Sequence, residues 1–148
     1  MKKSIFIADD DEATIEILTH ILHKQGYNVQ CFTDAQKMLR RKTHLPDLII
    51  LDIILGAVDG REVCRQLKVS PITKHIPVLL ISAIQKIEKH ADDAKADDFL
   101  AKPFSKKSLL EKIEALINRN RHSIPSDSSP LQSNDKEDSV RMGKESAK

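Results

Sequence analysis

The stretch Leu48-Ile49-Ile50-Leu51-Asp52-Ile53-Ile54-Leu55 sets one carboxylate among seven aliphatic side chains. Four unbroken aliphatic residues after Pro46 read as a strand buried on both faces, as a central parallel strand is. An unpaired carboxylate there would cost several kcal/mol, so Asp52 is expected to meet partners brought in by other segments. The other apolar runs, and the residues that end them, are where those partners should be found.

Working outward, Ser4 to Ala8 is a short apolar run that ends in Asp9, Asp10 and Asp11. Glu12 to Gln25 carries Ile15, Leu18 and Leu22 at helical spacing, with Gly26 as a stop. Val29 and Cys31 alternate with Asn28 and Gln30, the pattern of a half-exposed edge strand, with Cys31 expected to pack. Ala35 to Lys42 reads as a short helix. After the central run, Gly60 to Lys68 is helical with Val63 and Leu67, and Cys64 is expected to be semi-buried. Ile76 to Ile81 is a second buried strand, ending in Ser82. Lys86 to Lys95 is a weak helix. Asp98 to Ala101 is a last short strand, ending in Lys102, and Ser105 caps a helix bearing Leu109, Ile113, Leu116 and Ile117.

Five strand-helix units in alternation imply an α/β fold, a parallel sheet covered on both faces by right-handed crossovers. The second and fifth strands look most exposed, which makes them the edges of the doubly wound, flavodoxin-like order 2-1-3-4-5. The ends of the first and third strands then flank the switch point, where such sheets bind ligands.

Composition narrows the class. The chain has 148 residues, net charge +2, 40% hydrophobic and 31% charged residues, which is one domain with a true core. Aromatics are 3% with no Trp, which argues against base-stacking modules for single-stranded nucleic acid. Two cysteines make neither a disulfide framework nor a zinc site. No run suffices for a membrane span or a signal peptide, so a soluble cytoplasmic protein is expected. Residues 1–122 hold all the periodic segments; 123–148, rich in Ser and poor in apolar residues, read as a disordered polar tail.

With that topology Asp9, Asp10, Asp52, Ser82 and Lys102 reach one edge of the sheet. Clustered carboxylates need a cation or a proton, and Mg²⁺ suits an open site with a few carboxylates. Each residue has a plainer reading. Asp11 is better explained as a helix N-cap, a strand-end Ser is common, and Lys102-Pro103 could be an ordinary loop. The combination carries the signal.

The motifs IFIADDDEA (5–13), LIILDIILGAVDG (48–60), VLLISA (78–83) and DDFLAKPF (97–104) resemble the receiver domain of two-component response regulators, CheY-like and of single-domain type. The resemblance implies that Asp52 is the phosphoacceptor, taking a phosphoryl group from a sensor histidine kinase or histidine phosphotransfer protein. It implies Mg²⁺ held by the acidic pair Asp9 and Asp10 with Asp52, Asp10 and Asp52 ligating directly, and by the backbone carbonyl of Ile54. Ser82 would be the hydroxyl that turns toward the phosphoryl group, Lys102 its ion-pair partner, and Lys102-Pro103 a cis peptide. Phe99 stands at the switch aromatic position. The face of the fourth helix, fifth strand and fifth helix would signal to a downstream protein effector. A monomer or a phosphorylation-dependent dimer, no membrane and no direct nucleic acid binding are expected. The chain would catalyse only its own phosphorylation and dephosphorylation. The alternative is a pseudo-receiver that binds proteins without taking phosphate, against which the complete residue set argues. A phosphohydrolase would carry a second Asp where Ile54 stands.

Departures from the family are specific. Leu55-Gly56-Ala57-Val58-Asp59-Gly60 lacks the usual Pro-Gly pair, leaving the turn to Gly56. Lys95 replaces a frequent Gly, and Phe99 the commoner Tyr. The short spacing from Ser82 to Lys102 predicts a short or displaced fourth helix. Ile54 and Ile84, each two residues beyond a site residue, would border the path of attacking water without orienting it, predicting a long-lived phosphoform. His20 and His23 lack a third metal ligand, and Arg40-Arg41-Lys42 and Lys106-Lys107 read as solvated helix surface.

Overall fold

The computed structural model describes residues 2–84 and 86–123. The part of the expected tail from residue 124 onward lies outside the described residues. In chain order the elements are β1 (Ser4–Ala8), α1 (Glu12–Lys24), β2 (Asn28–Phe32), α2 (Ala35–Leu39) and β3 (Leu48–Asp52). A two-residue-strand hairpin (Ile54–Leu55 with Val58–Asp59) follows. Then come α3 (Gly60–Val69), β4 (Val78–Ser82), α4 (Ile87–Ala94), β5 (Asp98–Ala101) and α5 (Lys106–Ser123). All pairings in the five-stranded sheet are parallel, and its order is β2-β1-β3-β4-β5, the predicted 2-1-3-4-5.

Strand alternation builds two cores. Phe6, Ala8, Ile49, Leu51, Val78 and Leu80 face α2, α3 and α4. Ile5, Ile7, Leu48, Ile50, Leu79 and Ile81 face α1 and α5, meeting Leu18, Leu22, Leu109 and Ile113. Every residue of β3 and β4 is buried, and each Leu or Ile so buried contributes about 2 kcal/mol. The edge strand β2 buries only Phe32. Among the described residues no helix is long and apolar enough to cross a membrane.

Helix starts follow their caps. Asp11 accepts from the Ala13 N–H, Asp34 from Gln36 and Asp59 from Arg61. The Ser108 N–H donates to Ser105 Oγ at 3.0 Å. Gly26 at φ 89 ends the turn after α1, and Gly56 at φ 60 turns the hairpin.

Five readings need correction. α2 stops at Leu39, with Arg40 as its C-cap, and does not reach Lys42. β4 starts at Val78, not Ile76, because Pro77 has no N–H and the Ile76 N–H closes a turn onto the Thr73 carbonyl at 2.9 Å. Cys31 is exposed, not packed: it lies on the α1 side of the edge strand, its Sγ 3.4 Å from Thr19 Oγ1, at a rim that α1 does not cover. Cys64 is fully buried in α3, and burial pushes its thiol up to about 12. α5 runs to Ser123, so the boundary drawn after residue 122 falls inside the helix.

Candidate functional site

β1 and β3 are neighbours, paired from Ile5 with Leu48 to Ala8 with Leu51, so their ends deliver Asp9 and Asp52 side by side. Asp9 is fully buried and Asp52 is 6% exposed. Lys102, from the end of β5, reaches between them. Its Nζ lies 2.9 Å from Asp52 Oδ2 and 3.4 Å from Asp9 Oδ2, with Thr14 Oγ1 also at 3.4 Å. The peptide bond from Lys102 to Pro103 is cis.

Backbone amides fix the second oxygen of each carboxylate. The Asp11 N–H donates to Asp9 Oδ1 at 2.9 Å, and the Ile54 N–H to Asp52 Oδ1 at 3.1 Å. Ser82, at the end of β4, is buried, its Oγ accepting from the Ile84 N–H at 3.1 Å. Its carbonyl accepts from the Lys102 N–H at 2.9 Å, which ties the two strand ends together. Asp10 is exposed and lies over the hairpin: its Oδ2 is 3.6 Å from where a Cβ on Gly56 would stand.

The electrostatics follow from this packing. Burial drives the Asp9 carboxyl above its ordinary range; the Asp11 amide opposes that, and the Asp52 charge adds to it. Burial pulls Lys102 down, but hydrogen bonds and charges from Asp52 and Asp9 outweigh it and leave the ammonium favoured. One cation thus serves two buried anions, with Asp10 at the rim. Among the described residues no three His, Cys, Asp or Glu side chains converge as a ready-made metal cage. Hard oxygen donors with a surplus of negative charge still fit Mg²⁺, which takes one or two carboxylates and keeps its waters.

The other predicted site residues spread around this centre. Ile54 is 55% exposed on the hairpin, whereas Ile84 is half-buried against the α2–α4 core. Phe99 is half-buried on β5, with Lys112 Nζ 5.2 Å above its ring and that lysine paired to Asp98. Asp11 is a helix cap: its carboxylate takes the Thr14 hydroxyl and the Ala13 N–H, which, with the nearby Lys102 charge, hold it below the usual range. His20 and His23 are exposed on α1. Thr14, beside Lys102, was missed by sequence reasoning; its only signal is its place in the first turn after the cap. An apolar cleft of about 360 Å³ beside Lys102 is lined by Thr14, Ile17, Ala83, Pro103 and Phe104, with Ile17 54% exposed.

The chain belongs to the response regulator receiver domain family, which matches residues 5–114. It is 32% identical over 146 residues to the alkaline phosphatase synthesis transcriptional regulatory protein PhoP of Bacillus subtilis, covering 97% of this chain and 59% of that protein. It is 39% identical over 118 residues to the DNA-binding dual master transcriptional regulator RpaA of Synechocystis, covering 78% of this chain and 49% of that protein. The chain therefore spans about half the length of the curated relatives it matches. Among solved structures, a CheY-like receiver domain protein of Methanospirillum hungatei aligns with TM-score 0.73 and 26% identity, over 82% of this chain and 98% of that one. The receiver domain of a Pseudomonas aeruginosa sensor histidine kinase, with magnesium coordinated in its active site cleft, aligns with TM-score 0.72 over 80% of this chain and 99% of that one. Its identity is 22%, a likeness of fold.

These relatives correct one expectation. The absence of nucleic acid from the partners of this chain does not stand, because a relative at 39% identity is a DNA-binding regulator. Scarce aromatics argue against base-stacking platforms and say nothing about a receiver that works within a DNA-binding regulator.

Proposed function

We propose that Asp52 accepts a phosphoryl group from a phosphohistidine of a sensor histidine kinase or histidine phosphotransfer protein, in a Mg²⁺-dependent reaction. The observation that carries this reading is the Lys102 ammonium held between Asp52 and Asp9 at the carboxyl edge of the sheet. The donor N–P bond breaks, the Asp52 Oδ–P bond forms, and the donor imidazole departs. Asp10, Asp52 and the Ile54 carbonyl would hold Mg²⁺ with Asp9 behind them; the ion supplies charge neutralisation for the transferring oxygens. Lys102 stabilises the equatorial charge, and the fixed amides of Ile54 and Asp11 keep both carboxylates in place. The apolar cleft beside Lys102 gives the donor protein room to seat.

Ser82 then exchanges its bond with the Ile84 N–H for one to the phosphoryl group, and Phe99 moves into the space released. The face made by α4, β5 and α5 changes packing, and a protein effector reads it, a population shift between two packings. Ile54 and Ile84 shield the acyl phosphate from water and lengthen its life. Binding of beryllofluoride with Mg²⁺ tests the reading. Saturable binding lost in Asp52→Ala is expected. No binding, and no labelling by small phosphodonors, would make the protein a binding module that takes no phosphate.

A further inference from the structure

α4 packs on α3 and β5 through a narrow apolar stripe. It buries three side chains, Ile87, Ala91 and Ala94, two of them small. Among the described residues no side chain caps its start; Lys86 stands there at φ 59, and Lys95 closes the other end at φ 65. Both are left-handed residues with a Cβ, an unfavourable arrangement. Polar contacts from α3 hold its outer side. Arg65 Nε donates to the Asp93 carbonyl at 3.3 Å. One turn earlier on α3, Arg61 Nη1 lies 2.9 Å from His90 Nδ1.

The chemistry of the second contact leaves one arrangement. A guanidinium has five N–H donors and no acceptor, so Arg61 donates and His90 Nδ1 accepts. The ring is then neutral with its proton on Nε2. A protonated imidazole has a donor on both nitrogens and would meet Arg61 as a like charge. Arg61 is fixed from behind: Asp59 takes its Nη2 at 2.7 Å and its Nε at 3.0 Å. Asp59 is also the residue paired with Ile54 across the hairpin that follows Asp52.

We propose that Arg61 and His90 form a proton-sensitive latch. Neutral His90 fastens α4 to α3 and, through Asp59, to the hairpin after the phosphoacceptor; protonated His90 releases it. The latch belongs to α3 and α4 and stands whether or not Asp52 takes phosphate. The other charged groups on the packed elements are Asp59, Glu62, Arg65 and Lys68 on the hairpin and α3 side, Lys86, Glu88, Lys89, Asp92, Asp93 and Lys95 on the α4 side, and Asp98 on β5. Arg61 holds Asp59 below its ordinary range, so Asp59 keeps its charge and its hold on Arg61.

Hydrogen exchange of the α4 amides at about pH 7.5 and about pH 5.5, corrected for intrinsic exchange, reads the latch. In the wild-type chain, protection is expected to fall about two- to tenfold on acidification, the worth of one hydrogen bond. His90→Asn keeps an acceptor at the same place without titrating and should hold its protection at both values. His90→Phe has no acceptor and should be poorly protected at both. Equal losses in the wild type and His90→Asn would overturn the proposal, as would His90→Phe protected like the wild type at the higher pH.

Discussion

Replacing Asp9 by Asn tests the charge balance of the site while keeping its shape. Asp9 and Asp52 share one ammonium, Lys102 Nζ, 3.4 Å from the first and 2.9 Å from the second. The carboxylates therefore lie within about 6 Å, where repulsion at an effective dielectric of about 20 is about 3 kcal/mol. Attraction to Lys102 returns about 5 kcal/mol to Asp9 on the same scale. Withdrawing a carboxylate from water costs several kcal/mol more, so the ionised form is worse than an amide by about 1–3 kcal/mol. Burial, the largest cause of the raised Asp9 pKa, agrees in sign. The Asn Oδ1 still accepts the Asp11 N–H. In chelator at neutral pH, Asp9→Asn should raise the urea midpoint by about 1 M. Circular dichroism is the probe of choice, because the chain has no Trp. The folded-state value of Asp9 is raised, so the gain is full above that value and closes as pH falls through it. Excess Mg²⁺, binding the folded wild-type site, should also narrow the gap. An unchanged or lower midpoint in chelator, or a gap that widens on acidification, would refute the reasoning.

Three further substitutions probe other parts of the structure. Lys95→Gly relieves a left-handed residue at φ 65 and should stabilise the fold by about 0.5–1 kcal/mol after the unfolded-chain entropy of Gly is counted, read by urea titration. Gly60→Ala drives a Cβ onto the Asp52 carbonyl oxygen, with Ile53 Cα at 2.8 Å. It should destabilise by about 2 kcal/mol or more and weaken beryllofluoride binding; a neutral result would mean that α3 shifts freely on β3. Ile54→Asn with Ile84→Glu should shorten the life of the phosphorylated form, measured as phosphate release from the labelled protein, and an unchanged half-life counts against shielding.

Much of the fold was legible because β3 and β4 must bury both faces, which leaves unbroken aliphatic runs, and because Asn28 to Phe32 alternates as an edge strand does. The residues ending those runs were legible for a related reason. A charged or hydroxyl residue directly after a buried run lies at the carboxyl edge of the sheet, so topology brings Asp9, Asp52, Ser82 and Lys102 together. What escaped has no period. The hairpin has two residues per strand, too short for alternation to register. The Arg61–His90 contact joins residues 29 positions apart on two helices, and nothing in either helix marks the pair. The exposure of Cys31 depends on how far α1 covers the edge strand, which the alternation of β2 does not record.

The sheet separates the two cores completely along β1, β3 and β4, handing alternate residues to one side or the other. Substitutions beneath α1 and α5 should therefore add to those beneath α3 and α4 without mutual interference, since they share no packing neighbours. The consequence is a division of labour in variation. The surface around α1 and the cleft at Ile17 can be respecified without retuning the surface carried by α3 and α4, and only the few residues at the carboxyl edge are answerable to both.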